Sequence, residues 1–117
     1  MGRLTTHVLD TALGRPAAGV KIEFSILDGV SWKPIKTVIT NADGRTDEPL
    51  MTGDAMRGGQ FQLLFHIGDY FRQTGVALAN PLFIDCIPLH FGIADTNAHY
   101  HVPLLASPWA YSTYRGS

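Results

Sequence analysis

Cysteine is nearly absent from this chain: Cys86 is the only one in 117 residues. One thiol cannot build an internal disulfide framework, and it fits a reducing compartment. Cys86 lies in an apolar run and reads as buried, inert filler, the usual habit of a free thiol. Net charge is scarce too, −1 at pH 7, which gives no reason to expect a nucleic acid or an anionic membrane as partner. No stretch approaches the ~20 apolar residues of a membrane helix. Met1-Gly2-Arg3-Leu4 runs straight into a strand pattern, so the reading expects no signal peptide and a cytoplasmic protein. There is no internal repeat and no low-complexity linker. Two catalytic signatures are also missing. Without a GxSxG elbow, Ser107, Ser112 and Ser117 have no motif behind them as nucleophiles. Without HExxH or a Cys cluster, a zinc site lacks its usual framework.

What remains is a chain of one-domain length, 45% apolar, with one core spanning residues 1–117. Its clearest signal has a period of two. Val20, Ile22, Phe24 and Ile26 alternate with polar residues, as do Phe61, Leu63, Phe65 and Ile67. Shorter strands fit Leu4–Asp10, Trp32–Thr40, Arg45–Asp47, Phe83–Ile93, Tyr100–Ala106 and Trp109–Tyr114. Turn signals separate them at Asp28-Gly29, Asn41–Gly44, Asp95–Asn97 and Ser107-Pro108. Gly53–Gly59 reads as a loop with one helical turn, and Asp69–Gln73 as a short helix with Asp69 as its N-cap. Pro34 and Pro103 each lack a backbone donor, which predicts edge positions or a subunit contact. The total is an all-β sandwich of about eight short strands with at most one short helix.

Five histidines are the obvious chemistry-bearing residues. His66 and His90 fall on polar strand faces and read as surface groups. His7 shares a face with Leu9, while Leu4, Thr6 and Val8 fill the other. His101 shares a face with Pro103 and Leu105, opposite Tyr100, Val102 and Leu104. His99 and His101 point the same way, which suits two imidazole ligands, but no third ligand is evident. Arg45, just past a turn, reads by itself as an exposed arginine.

Three ordered motifs carry more information than any of these alone. Leu4-Thr-Thr-His-Val-Leu-Asp10 is followed by Gly14-Arg-Pro-Ala17. Thr40-Asn-Ala-Asp-Gly-Arg45 is followed by Pro49-Leu50. The last is His99-Tyr-His-Val-Pro-Leu-Leu105, followed by Tyr111-Ser-Thr-Tyr-Arg-Gly-Ser117. Together they resemble the 5-hydroxyisourate hydrolases, the enzymes related to transthyretin. One departure stands out: Phe83-Ile84-Asp85-Cys86 occupies the place of a Phe-Phe-Pro-Glu-like run.

The resemblance implies a transthyretin-like two-sheet sandwich that opens the six-membered ring of 5-hydroxyisourate during urate degradation. It implies no metal and no other cofactor. Catalytic groups carry over to His7, Arg45, His101 and Ser117, the last with the terminal carboxylate. Tyr114, Arg115, Gly116 and Leu105 carry over as substrate-binding. Two apolar faces on the final strands, together with the resemblance, imply a homotetramer with its sites at the contact between dimers. The competing reading is a small-ligand carrier like transthyretin itself, which needs neither two inward histidines nor an arginine.

Overall fold

The structure, a computed structural model, describes residues 1–117. In chain order its strands are β1 (Arg3–Asp10), β2 (Arg15–Pro16), β3 (Lys21–Asp28), β4 (Ser31–Ile39), β5 (Met51–Thr52), β6 (Gly59–Phe65), β7 (Ile87–Ile93), β8 (His99–Ala106) and β9 (Tyr111–Thr113). A 3₁₀ turn spans Gly53–Ala55, and one short helix, α1, spans Ile67–Arg72. The first sheet has the order β2-β1-β8-β9, with β5 pairing β1; the second has the order β4-β3-β6-β7. Every ladder is antiparallel except β1–β8, which runs parallel from Arg3↔His99 to Asp10↔Ala106. The architecture is therefore a two-sheet β-sandwich, as the sequence motifs implied.

Alternation builds the core. Leu4, Thr6, Val8 and Asp10 point inward from β1, and Ile22 and Phe24 from β3. Phe61, Leu63 and Phe65 do the same from β6. Phe24 and Phe61 stack with ring centroids 5.6 Å apart, and each is fully buried. Burial of such a side chain stabilises the fold by about 1.5–3 kcal/mol. The helix closes one end of the sandwich with Ile67, Tyr70 and Phe71. Tyr70 also donates its hydroxyl to the buried Asp10 carboxylate at 2.8 Å, tying α1 to the end of β1.

Several details differ from the sequence reading. There are nine strands rather than about eight. The count rises through β2 and β5, two residues each, which are too short to show a period. Arg45–Asp47 is not a strand; Arg45 makes only an isolated bridge to His7. The helix starts two residues earlier than expected, with His66 at the N-cap, while Asp69 sits in the first turn and pairs with Arg72 at 2.6 Å. The strand expected from Phe83 begins only at Ile87. Cys86 is exposed rather than buried, because it precedes the strand instead of lying in it.

Pro34 stands on the edge strand β4, where its missing donor costs no ladder bond. Pro103 stands on β8, which is interior within the chain. The fold accommodates it locally. His101 exchanges both of its backbone bonds with Gly116, and the next paired residue toward the end of the strand is Leu104, opposite Thr113. Backbone groups two residues apart point the same way, so Pro103 faces the interruption between those pairings, where a donor is not required.

Candidate active site

The parallel pairing of β1 with β8 places the first and last motifs side by side. His7 lies opposite Pro103, and Thr5 opposite His101. Both histidines project from the outer face of the first sheet, and their ring centroids are 6.5 Å apart. The middle motif reaches them through the Asn41–Gly44 turn. Asn41 Oδ1 accepts from the backbone of Asp43 and Arg45, and the Gly44 carbonyl accepts from Val8 at 2.8 Å. Gly44 has φ +75°, and a Cβ there would collide with the Val8 carbonyl. Only glycine lets this turn lie so close to β1, and the close approach sets Arg45 beside His7.

The tail completes the arrangement. Gly116 donates to the His101 carbonyl at 2.7 Å and accepts from its amide at 3.1 Å. Arg115 stacks over the Tyr100 ring, 4.4 Å from its centroid, and donates to the His99 carbonyl at 3.2 Å. Ser117 then borders an open cleft of about 410 Å³ whose lining includes Arg3, Thr5, Arg45, Glu48, His99 and His101. Most of the residues that line it are polar or charged, with Tyr100 beside the histidines.

Each histidine has one ring nitrogen engaged and one unengaged by protein. His7 Nε2 lies 2.9 Å from the Asp43 carbonyl. A carbonyl only accepts, so that nitrogen carries the hydrogen, and Nδ1 of the neutral ring holds the lone pair. His101 Nδ1 lies 2.8 Å from Thr5 Oγ1. A hydroxyl both donates and accepts, so this bond survives in either tautomer. Burial holds both imidazoles below their ordinary pKa of 6.5, and the Arg45 guanidinium adds to the effect on each. For His101 the neighbouring His7 contributes as well. Both rings are thus biased toward the neutral form, the one able to accept a proton.

The residues singled out in sequence fall as follows. Arg45, His101 and Ser117 line the cleft, and His7 stands beside it, bridged to Arg45. Gly116 and Arg115 pin the tail rather than line the cleft. Tyr114 is 59% exposed. Leu105 sits on β8 between Leu9 and Ser112, away from the cleft lining. His99 turns its Nε2 toward the Met1 carbonyl, 3.1 Å away, and no three His, Cys, Asp or Glu side chains gather as a ligand set. His66 is half-buried and bonded to Glu23, and His90 is exposed beside Gln62. Thr5 and the Asp43 carbonyl escaped the sequence reading. Strand parity alone placed Thr5 on the face of His7; the pairing partner that gives it a task lies 96 residues away.

A family description, the HIUase/transthyretin family, matches residues 4–116. The chain belongs to that family. It is similar to 5-hydroxyisourate hydrolase 2 of Rhizobium meliloti (strain 1021), with 61% identity over 99% of this chain and 97% of that one. Among solved structures it resembles transthyretin from Sparus aurata, with a TM-score of 0.85 and 26% identity over 97% of this chain and 96% of the other. It also resembles (S)-allantoin synthase, with a TM-score of 0.94 and 43% identity. That alignment covers 99% of this chain but only 44% of the synthase chain, so this chain spans less than half of that protein. The proteins it resembles thus include ones named as hydrolase, as synthase and as transthyretin.

Proposed function

We propose that this chain is a hydrolase that opens the ring of 5-hydroxyisourate, using His7, Arg45, His101 and Ser117. The supporting observation is the convergence of four separate segments on one polar cleft, with two neutral-biased imidazoles beside an arginine. A carrier of an apolar hormone has no use for that lining, and the hydrolase name of a relative at 61% identity agrees. No helix here is long and apolar enough to cross a membrane, and we place the enzyme in the cytoplasm, where a single unpaired thiol is at home.

Opening a cyclic amide requires an activated water, a stabilised oxyanion and a proton for the departing nitrogen. His7 is the base: its Nε2–H is committed to Asp43, so Nδ1 takes the proton as water attacks. His101 is the shuttle: its Nδ1 keeps a partner in Thr5 whichever tautomer it holds, so Nε2 can give or take a proton. Arg45 offers a fixed charge and a planar donor fork to the carbonyl oxygens of a flat substrate. Ser117 and the pinned tail close one side and position substrate or water. No covalent enzyme intermediate and no cofactor is needed.

The edge strand β9 is exposed at all three residues, with Trp109, Tyr111 and Tyr114 uncovered around it. That surface supports a homotetramer in which the outer face of the first sheet meets a second copy and the cleft is shielded from bulk water.

The test is spectroscopic decay of freshly generated 5-hydroxyisourate. His7→Asn and His101→Asn should each lower turnover by roughly two to four orders of magnitude, the size of a lost acid or base. His90→Asn should be silent. Near-normal turnover in either of the first two variants removes that residue from the mechanism.

A further inference from the structure

The second sheet carries a group of side chains that this reaction does not use. Glu23 stands on β3, His66 at the N-cap of α1, and Cys86 just before β7. Cys86 is exposed, and its Sγ lies 3.6 Å from His66 Nδ1. On the other side of the ring, His66 Nε2 lies 2.5 Å from Glu23 Oε2. A carboxylate only accepts, so Nε2 carries the hydrogen, and Nδ1 of the neutral ring presents its lone pair to the thiol. A nucleophile within reach of a base, and a base oriented by a third group, is the arrangement that activates thiols.

We propose that Cys86 is a nucleophilic thiol, activated by His66 and Glu23, that exchanges with small-molecule disulfides. The proton of Cys86 passes to His66 Nδ1, and Glu23 stabilises the imidazolium. The sulfur attacks one sulfur of the disulfide, whose S–S bond breaks as the mixed disulfide forms. The departing thiolate takes the proton from His66 and leaves as a thiol. The small disulfide is the oxidant, and nothing else is consumed.

The charges around the thiol shape its partner. Asp85 is adjacent, Asp69 faces it from α1 and Glu23 from β3, with Arg72 as the opposing cation. Partial shielding of the sulfur from water and these carboxylates push the thiol above its ordinary value, so the resting form is S–H and reaction depends on the base. The same carboxylates attract a cationic disulfide and repel an anionic one.

The experiment mixes the folded protein at pH 7 with neutral dithiodipyridine and follows thiopyridone release. Wild type should release one equivalent, with the adduct located on Cys86 by mass spectrometry, and Cys86→Ser should release none. An unassisted thiol is only about 3% ionised at neutral pH. His66→Asn, which puts a preferred capping residue at the N-cap, should therefore react roughly tenfold or more slowly, since base assistance works by raising that fraction. Glu23→Gln should fall between the two. With each rate divided by that of free 2-mercaptoethanol to cancel the leaving group, cationic cystamine should be favoured over anionic dithiodipropionate. A thiol that reacts only after unfolding, or equal rates in wild type and a folded His66→Asn, overturns the proposal. Ring opening by Cys86→Ser should be unchanged, which separates this test from that of the hydrolase site.

Discussion

The tail is held against His101 so closely that a single methyl group should register in turnover. A Cβ on Gly116 would stand 3.2 Å from His101 Cβ and 3.3 Å from its Cδ2. Carbon atoms prefer about 3.5–4.0 Å, so Gly116→Ala must displace the imidazole or the tail by roughly 0.3–0.5 Å to reach ordinary contact. A misplacement of ~1 Å in a catalytic site costs on the order of a hundredfold. Scaled in the exponent, a third to a half of that shift corresponds to about a four- to tenfold loss. The affected step is the chemical one, so the loss should fall on kcat, with the circular dichroism spectrum unchanged. The control is Gly92→Ala on β7, where the nearest atom to an added Cβ is 3.7 Å away; it should match wild type. A Gly116→Ala enzyme with full kcat would show that the tail does not set the position of His101. An equal loss in Gly92→Ala would show that the effect is not local.

The pH profile follows from the histidines. Both are held below 6.5 in the folded chain, so the acid limb of kcat/KM should have its midpoint below that value; a midpoint above 6.5 contradicts the neutral-ring mechanism. The same direction applies to stability. An imidazole that binds its proton more weakly when folded contributes stability above the unfolded pKa of about 6.5, and loses it as pH falls below that value, which acid titration of unfolding can check. Thr5→Val keeps the shape but removes the partner of His101 Nδ1, a hydrogen bond of roughly 1 kcal/mol. Turnover should drop by about five- to tenfold and recover in Thr5→Ser; no recovery in Ser would assign the effect to packing. Leu105→Asp should split the proposed tetramer and abolish activity together, and sedimentation that finds an active monomer would refute the shared-cleft arrangement.

The sandwich was legible because its core strands have an unbroken period. Phe24, Phe61 and their neighbours on β3 and β6 could point only one way if a single core was to be filled. Where tertiary pairing decides, local pattern falls short. β2 and β5 are two residues each and exist only because β1 offers them an edge. Arg45–Asp47 looks extended but is held by one bridge and an asparagine-based turn. Asp69 resembled an N-cap, yet the chain turns helical earlier, directly out of β6, so that Ile67 can be buried. Pro103 was read as an edge signal because a missing donor usually belongs there; β8 instead places it at a gap in the pairing of its neighbour.

The candidate site was legible in its residue types but not in its wiring. Motif resemblance brought His7, Arg45, His101 and Ser117 together, yet nothing in the sequence said how each ring is held. That information lies in two partners without a motif of their own. The Asp43 carbonyl fixes one tautomer of His7, whereas the Thr5 hydroxyl tolerates both tautomers of His101. An acceptor-only partner suits a base that must present one lone pair. An amphoteric partner suits a group that must exchange a proton in both directions. The two histidines are the same residue type on neighbouring strands, and in the proposed mechanism their different partners are what separate their roles. The proposed division of labour therefore rests on β1–β8 register and the Asn41–Gly44 turn as much as on the imidazoles themselves. A one-residue slip of that register would replace Thr5 opposite His101 with Leu4 or Thr6, both of which point into the core.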